Sequence, residues 1–341
     1  MLEIKQNISL KPFTTMALDV TANKFLEINS IKDLKEFFSN YKNEDFYVLG
    51  GGSNVLFLND FKGFILKIDL KGISIESEDD DFVYLKASAG ENWHQFVQYT
   101  LDKNYGGLEN LSLIPGTVGA SPIQNIGAYG VEVKDCIEKV EAFNTKTLKL
   151  EYFNNKDCKF DYRESIFKRD LKGKYIVTSV IFKLTKKNHK LNVNYGAIKE
   201  ELNNLGAFEN PTIQKVSEAV INIRESKLPN PKDCPNTGSF FKNPIIETEK
   251  YNTLHKKYIN IPGYPITDKE IKVPAGWLIE NTGWKGKRKG NVGVHDKQAL
   301  VLINPGYGTG EEVYNLSQEI IDSVKNIFGI ELEREVNVIK S

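Results

Sequence analysis

Gly50-Gly51-Gly52, followed by Ser53 and Asn54, comes straight after the apolar run Phe46-Tyr47-Val48-Leu49. Consecutive glycines let backbone N–H groups turn toward one point, the nest geometry that holds phosphate, and a tight turn uses the same residues as readily. A dinucleotide fingerprint of the Rossmann kind is excluded, because Val55 occupies the third glycine's place and the continuation Val55–Leu58 is β-rich rather than helical. A second segment, Ile114 to Gly130, is richer in small residues than a core element requires: Pro115, Gly116, Thr117, Gly119, Ala120, Pro122, Gly127 and Gly130. Such a chain presses its backbone against a flat or polyanionic ligand, or packs on itself as an Ω-like loop.

Three other residues have side chains of types that can do chemistry, at positions that read locally as ordinary. Ser239 lies in Thr237-Gly238-Ser239-Phe240-Phe241-Lys242-Asn243-Pro244; by itself Gly-Ser reads as a turn, and a hydrolase elbow is excluded because position 241 is phenylalanine. Arg163, in Asp161-Tyr162-Arg163-Glu164-Ser165, reads alone as an exposed ion-pair partner. Glu335 shares the polar face of an alternating terminal segment with Glu331 and Glu333. Four histidines without a metal-ligand spacing, and three dispersed cysteines without C-x-x-C, point to no metal and no disulfide framework.

The elements that must position these groups have readable signals. Ser30 and Asp33 cap an amphipathic helix through Ile31, Leu34, Phe37 and Phe38. Phe46–Leu49, Phe82–Ala89, Ile137–Phe143 and Tyr175–Leu184 read as strands, and Trp93–Leu101 and Val216–Ile223 as helices. Near Leu228 the composition turns to proline and asparagine, a domain boundary. Thr309 and Glu312 open a helix that Gly329 ends, and Ile330–Ile339 alternates as a final strand. The reading is α+β with mixed sheets.

Across 341 residues, 45 basic and 45 acidic side chains cancel, so no global field calls for nucleic acid or an anionic membrane. The basic run Lys285–Lys289 is a solvated loop or a contact for an anionic ligand. No run reaches bilayer-spanning length and no secretory leader is evident, so the cytoplasm is the expected location. No obligate protein partner is evident.

Gly50–Leu56, Ile114–Ala120 and Gln124–Gly130 together resemble the FAD-binding half of the UDP-N-acetylenolpyruvoylglucosamine reductase family. Order and spacing agree from about Asn7 to Val338. The resemblance implies a fold of the vanillyl-alcohol-oxidase type, not Rossmann. Its parts are a first FAD-binding subdomain at 1–69 completed by 329–341, a second at 70–227, and an α+β substrate domain at 228–325. It implies noncovalent FAD held by Gly50, Gly51, Gly52, Ser53, Asn54, Pro115, Gly116, Thr117, Gly119, Ala120 and Gly127. NADPH is the hydride donor and the enolpyruvyl ether of a UDP-sugar is the acceptor, in turn at one cleft. Ser239 is then the proton donor, and Arg163 and Glu335 stabilise the intermediate. Tyr195, Arg224, Lys227, Asn243, Lys285 and Gln298 match substrate-binding positions, with Lys227 and Asn243 also candidates to polarise Ser239. The segment Leu191–Leu202 marks the longer, type I members. The family's proline before the glutamate is Arg334 here. The rival readings are an FAD oxidase of the same fold and a nucleotide-sugar binding protein without catalysis.

Overall fold

Among the described residues, two larger sheets, a two-stranded one and four α-helices make up the first of two compact units, formed by 1–8, 22–52 and 62–226. The computed structural model describes residues 2–306 and 308–340, so Met1 and Ser341, the outer limits of the expected first subdomain, lie outside it. One sheet orders its strands Lys5–Ser9, Thr21–Ile28, Phe61–Ile68 and Phe46–Leu49, the last two parallel. The other is antiparallel and five-stranded: Leu150–Asn154, Ile137–Asn144, Tyr175–Thr185, Phe82–Ser88 and Ile73–Glu78.

Alternation buries one face of these strands. Val83, Leu85 and Ala87 pack with Val140, Val180 and Phe182 against the helix Trp93–Asp102, where Trp93, Phe96 and Phe182 rings touch. Phe143 and Ile176 join a second core with Phe37, Phe38 and Phe64, which ties the capped helix Ile31–Asn40 to both sheets. The helices Gly196–Asn204 and Ile213–Lys227 form a third core through Ile198, Leu202, Val216, Val220 and Ile223. The second of these starts three residues before the expected Val216 and runs past Arg224 to Lys227. Its early turn already buries Ile213, so packing extends it beyond the visible periodicity.

The second unit comprises 9–21, 53–61 and 227–341. Its four-stranded sheet orders Asn236–Ser239, Val301–Ile303, Val292–Val294 and Arg288–Lys289. Thr309 accepts from the Glu312 N–H while the Glu312 carboxylate caps Thr309, opening the helix Gly310–Phe328, and Gly329 closes it at φ 65°. A methyl group on Gly310 would stand 1.9 Å from the Phe57 carbonyl oxygen, so this helix starts directly on the strand Val55–Phe57. That strand pairs in parallel with Asn337–Ile339. The final strand is thus shorter than Ile330–Ile339: only its last part is regular, and the residues before it run irregularly beside Phe240–Lys242. By contacts, the terminal strand and its partner belong with 227–341. Among the described residues no helix is long and apolar enough to cross a membrane.

Candidate functional site

In the first unit the two glycine loops touch backbone to backbone. A methyl group on Gly51 would lie 2.7 Å from the Gly116 Cα, and one on Gly50 would lie 2.9 Å from Thr117 Oγ1. Side chains are excluded here by the loops themselves, and Gly116 takes φ 127°, which L side chains rarely adopt. The second loop is anchored to the turn before the helix Trp93–Asp102: Val118 N–H donates to Glu91 O and Gly119 N–H to Ala89 O, while Gly116 O accepts from Trp93 N–H. The N–H groups of Ala120 and Ser121 bond within the loop. The smallness of Gly119 is a packing requirement, since its methyl would meet Ala89 Cβ at 2.5 Å.

Arg163 is not the exposed residue that its sequence surroundings suggest. It is half-buried at φ 55°, and its Nη2 and Nη1 donate to Gly127 O (2.8 Å) and Asn125 O (3.4 Å). The same stretch is gripped twice more: Ser165 Oγ donates to Ile123 O at 2.6 Å, and Asn125 Nδ2 donates to Asp161 O at 3.0 Å. Asp161–Ser165 therefore closes on the loop that carries Gly127.

Beside Arg163 stands a second guanidinium. Arg224 stands beside the Tyr129 hydroxyl, and its Nε is buried without a hydrogen-bond partner among the described residues. Burial holds Arg224 below the usual arginine range, with Tyr129 opposing and the Arg163 charge adding to the depression. Burial likewise raises the Tyr129 phenol, which Arg224 opposes. His94, whose Nδ1 accepts from Leu113 N–H, is lowered by burial and then by the Arg224 charge. Tyr195 sits at the start of the helix Gly196–Asn204 with its ring edge-on to Tyr129 at 5.4 Å. Two cations and a donor without a hydrogen-bond partner among the described residues are the chemistry that an anion would satisfy.

In the second unit, Ser239 ends the strand Asn236–Ser239 and is exposed. Gly238 at φ 69°, its N–H taken by the Asn236 side chain, makes the strand bulge against Val301–Ile303. Glu335 lies on the neighbouring segment: its N–H donates to Phe240 O at 2.8 Å, and its carbonyl accepts from Asn54 Nδ2 at 3.3 Å. Ser239 and Glu335 are thus brought together from positions far apart in the chain, with Asn54 against them. Arg334, which departs from proline, has its own work: Nε donates to Ser317 Oγ (2.7 Å), Nη2 to Gln318 Oε1 (2.8 Å), and the guanidinium lies over the Tyr314 ring. It pins the residue before Glu335 to the helix Gly310–Phe328, a function that no local pattern announces.

The remaining expected substrate residues are placed as follows. Asn243 Oδ1 accepts from Ala275 N–H and so caps the helix Ala275–Asn281 from a distance. Lys285 pairs with Glu280 at 2.8 Å. Gln298 Oε1 accepts from Leu300 N–H, and Lys227 is exposed at the end of its helix. Cys136 and Cys158 are buried, and burial pushes both thiols up to about 12.

A family model described as UDP-N-acetylenolpyruvoylglucosamine reductase, C-terminal domain, matches 230–339, and one described as FAD binding domain matches 24–147. The chain is 51% identical over 338 residues to a UDP-N-acetylenolpyruvoylglucosamine reductase from Flavobacterium johnsoniae, covering 99% of this chain and 100% of the relative. The chain belongs to the UDP-N-acetylenolpyruvoylglucosamine reductase family. Reductases of that name from Amoebophilus asiaticus and Bdellovibrio bacteriovorus are 46% and 45% identical over 99% and 98% of the chain, and over 100% and 99% of their own lengths. The crystal structure of the Thermus caldophilus UDP-N-acetylenolpyruvylglucosamine reductase matches with a TM-score of 0.70 at 22% identity, covering all of both chains, which is a likeness of fold. The expected architecture stands: an FAD-binding fold that is not Rossmann, followed by the reductase family's C-terminal domain. The residues suit FAD. Where Gly51 meets Gly116 the packing admits no side chain on Gly51, and Thr117 Oγ1 stands beside Gly50; backbone of this kind with a hydroxyl next to it would suit a diphosphate.

Proposed function

We propose that this protein reduces the enolpyruvyl ether of a UDP-sugar, UDP-N-acetylglucosamine enolpyruvate, to the lactyl ether UDP-N-acetylmuramate in the making of peptidoglycan precursors. The observation that carries this reading is identity of 51% to a reductase of that name, sustained over 99% of the chain. Bound FAD, reduced by NADPH, supplies the hydride that adds to the terminal carbon of the enolpyruvyl group.

Each chain residue then has a defined task. As the terminal carbon gains hydride, negative charge appears on the adjoining carbon and spreads into the substrate carboxylate. Arg163, permanently charged and planar, lies against that carboxylate and lowers the energy of the charged species. Ser239 delivers a proton from its hydroxyl to the adjoining carbon, which completes the lactyl ether. Glu335 stabilises the same intermediate together with Arg163. The second guanidinium, Arg224, with Tyr129 and Tyr195 beside it, receives the anionic nucleotide-sugar. Support for that assignment is its buried, unpartnered Nε. Within this reading FAD sits on 1–69 with 329–341 and on 70–227, the substrate domain is 228–325, and the protein works in the cytoplasm on a soluble nucleotide-sugar.

The test is spectroscopic. Purified protein should show the absorption of oxidised flavin at one flavin per chain, be bleached by NADPH in the absence of air, and regain colour when the enolpyruvyl UDP-sugar is added. Reoxidation by oxygen alone at the same rate would replace the reductase with an oxidase.

A further inference from the structure

Asn125 is fully buried and holds φ 43°, in the left-handed region. Every polar atom of its side chain is engaged. Nδ2 donates to Asp161 O (3.0 Å) and to Glu132 Oε2 (3.0 Å), and Oδ1 accepts from Lys134 N–H (3.1 Å). Its own carbonyl oxygen accepts from Arg163 Nη1. Two residues further on, Gly127 O takes the stronger Arg163 bond, and a methyl on Gly127 would stand 3.2 Å from Nη1 and 2.9 Å from Val131 O. Arg163 itself adopts φ 55°, a conformation costly for a long side chain and kept only where the surroundings over-determine it.

These contacts form a clasp between 123–127 and 161–165 with Asn125 at its centre. The Asn125 amide joins the segment before Arg163 to the loop, while the loop's carbonyls aim the guanidinium. Remove the amide, and Asp161 is released from the loop and the left-handed turn at Arg163 loses what holds it. A small displacement of an oriented charge is enough to cost rate, since about 1 Å of misplacement can cost on the order of 100-fold.

We propose that Asn125 is a positioning residue for reduction of the enolpyruvyl group and acts through Arg163. The proposal rests on the reading that Arg163 stabilises charge on the substrate.

A double-mutant cycle tests it, followed as reoxidation of the NADPH-reduced holoenzyme by saturating enolpyruvyl UDP-sugar. Asn125→Gly removes the amide and keeps the left-handed backbone free of strain. In the parent it should slow reoxidation by about 10- to 100-fold with KM within about twofold. In an Arg163→Ala background the same change should cost less than about twofold, because residues acting as one unit are not additive. Equal losses in both backgrounds, or no loss in the parent, would overturn the positioning role. Should Asn125→Gly fail to retain flavin, Asn125→Asp keeps the acceptor for Lys134 N–H and replaces the donors with a carboxylate oxygen that faces Glu132 and Asp161 O. It should show the same coupling, and additive behaviour there overturns the proposal equally. If Arg163→Ala alone reoxidises at the parent rate, the role given to Arg163 falls and this proposal with it, a result distinct from additivity.

Discussion

Four side-chain hydrogen bonds fasten the Arg163 segment to its glycine loop, two from the guanidinium, one from Asn125 and one from Ser165. Ser239, in contrast, stands exposed on a strand that Gly238 has already bent out of register. Glu335 beside it is steered from behind, through Arg334 on the C-terminal helix. Under the roles proposed for them, the two regions answer different demands. A charge that stabilises an intermediate acts by being held in advance, so strain and buried bonds are tolerable around it. In the proposed reading a hydroxyl that gives up a proton has to meet the substrate, and Ser239 is exposed on an edge strand.

Removing chemistry from the lightly held region should cost most. Ser239→Ala is expected to slow reoxidation of the reduced flavin by the enolpyruvyl UDP-sugar by about 10²- to 10⁴-fold, the usual weight of a general acid, with reduction by NADPH unchanged. Stopped-flow traces of the two half-reactions decide it, and equal slowing of both would mean that Ser239 supports flavin binding instead.

Loosening the strut behind Glu335 comes next. Arg334→Ala deletes two charge-assisted hydrogen bonds and a cation–π contact, a loss of about 1.5–3 kcal/mol for bonds to a charged group. A denaturant titration should show the drop, and turnover should fall while flavin content holds. Unchanged turnover would show that Glu335 does not depend on its neighbour.

The smallest effect concerns the heavily held region. His94 has a lowered pKa because burial, and then Arg224, disfavour its charged form, with Glu225 opposing. The unfolded chain titrates near the ordinary histidine value of 6.5 and so binds the proton first. Stability is therefore intact above that pH and declines as pH falls from there toward the folded value. His94→Gln should flatten this decline in thermal melts at pH 7.5 and 5.5. An identical slope would remove His94 from the balance.

Much of the scaffold was legible because its signals are local. The Ser30–Asp33 and Thr309–Glu312 capping boxes, the glycine stop at 329 and the alternation of Phe82–Ser88 each depend on residues a few positions apart. The terminal strand was overestimated because alternation of Leu332, Val336 and Val338 reports burial, whereas regular pairing needs a partner, and only Asn337–Ile339 has one in Val55–Phe57. The site divides the same way. Glycine loops and the Tyr-Arg-x-Ser stretch are visible as motifs. The bonds that give them meaning join residues 36 to 42 positions apart, such as Arg163 to Gly127 and Ser165 to Ile123, and leave no periodic trace. Asn125 lay inside a recognised motif yet drew no role, because its contacts reach Asp161 and Lys134 from a loop that reads only as small and flexible.

The pairing of Val55–Phe57 with Asn337–Ile339 also governs when the protein becomes whole. During synthesis the first of these strands emerges well before its partner, which follows 282 positions later along the chain. Until then that strand's backbone lacks its ladder, an edge open to wrong partners. The Asn54–Glu335 bond closes in the same late event, across 281 residues. A chain ending at Gly329 would therefore keep every glycine of its loops and still carry an incomplete second unit. Premature release from the ribosome should yield an aggregation-prone product rather than a slow enzyme.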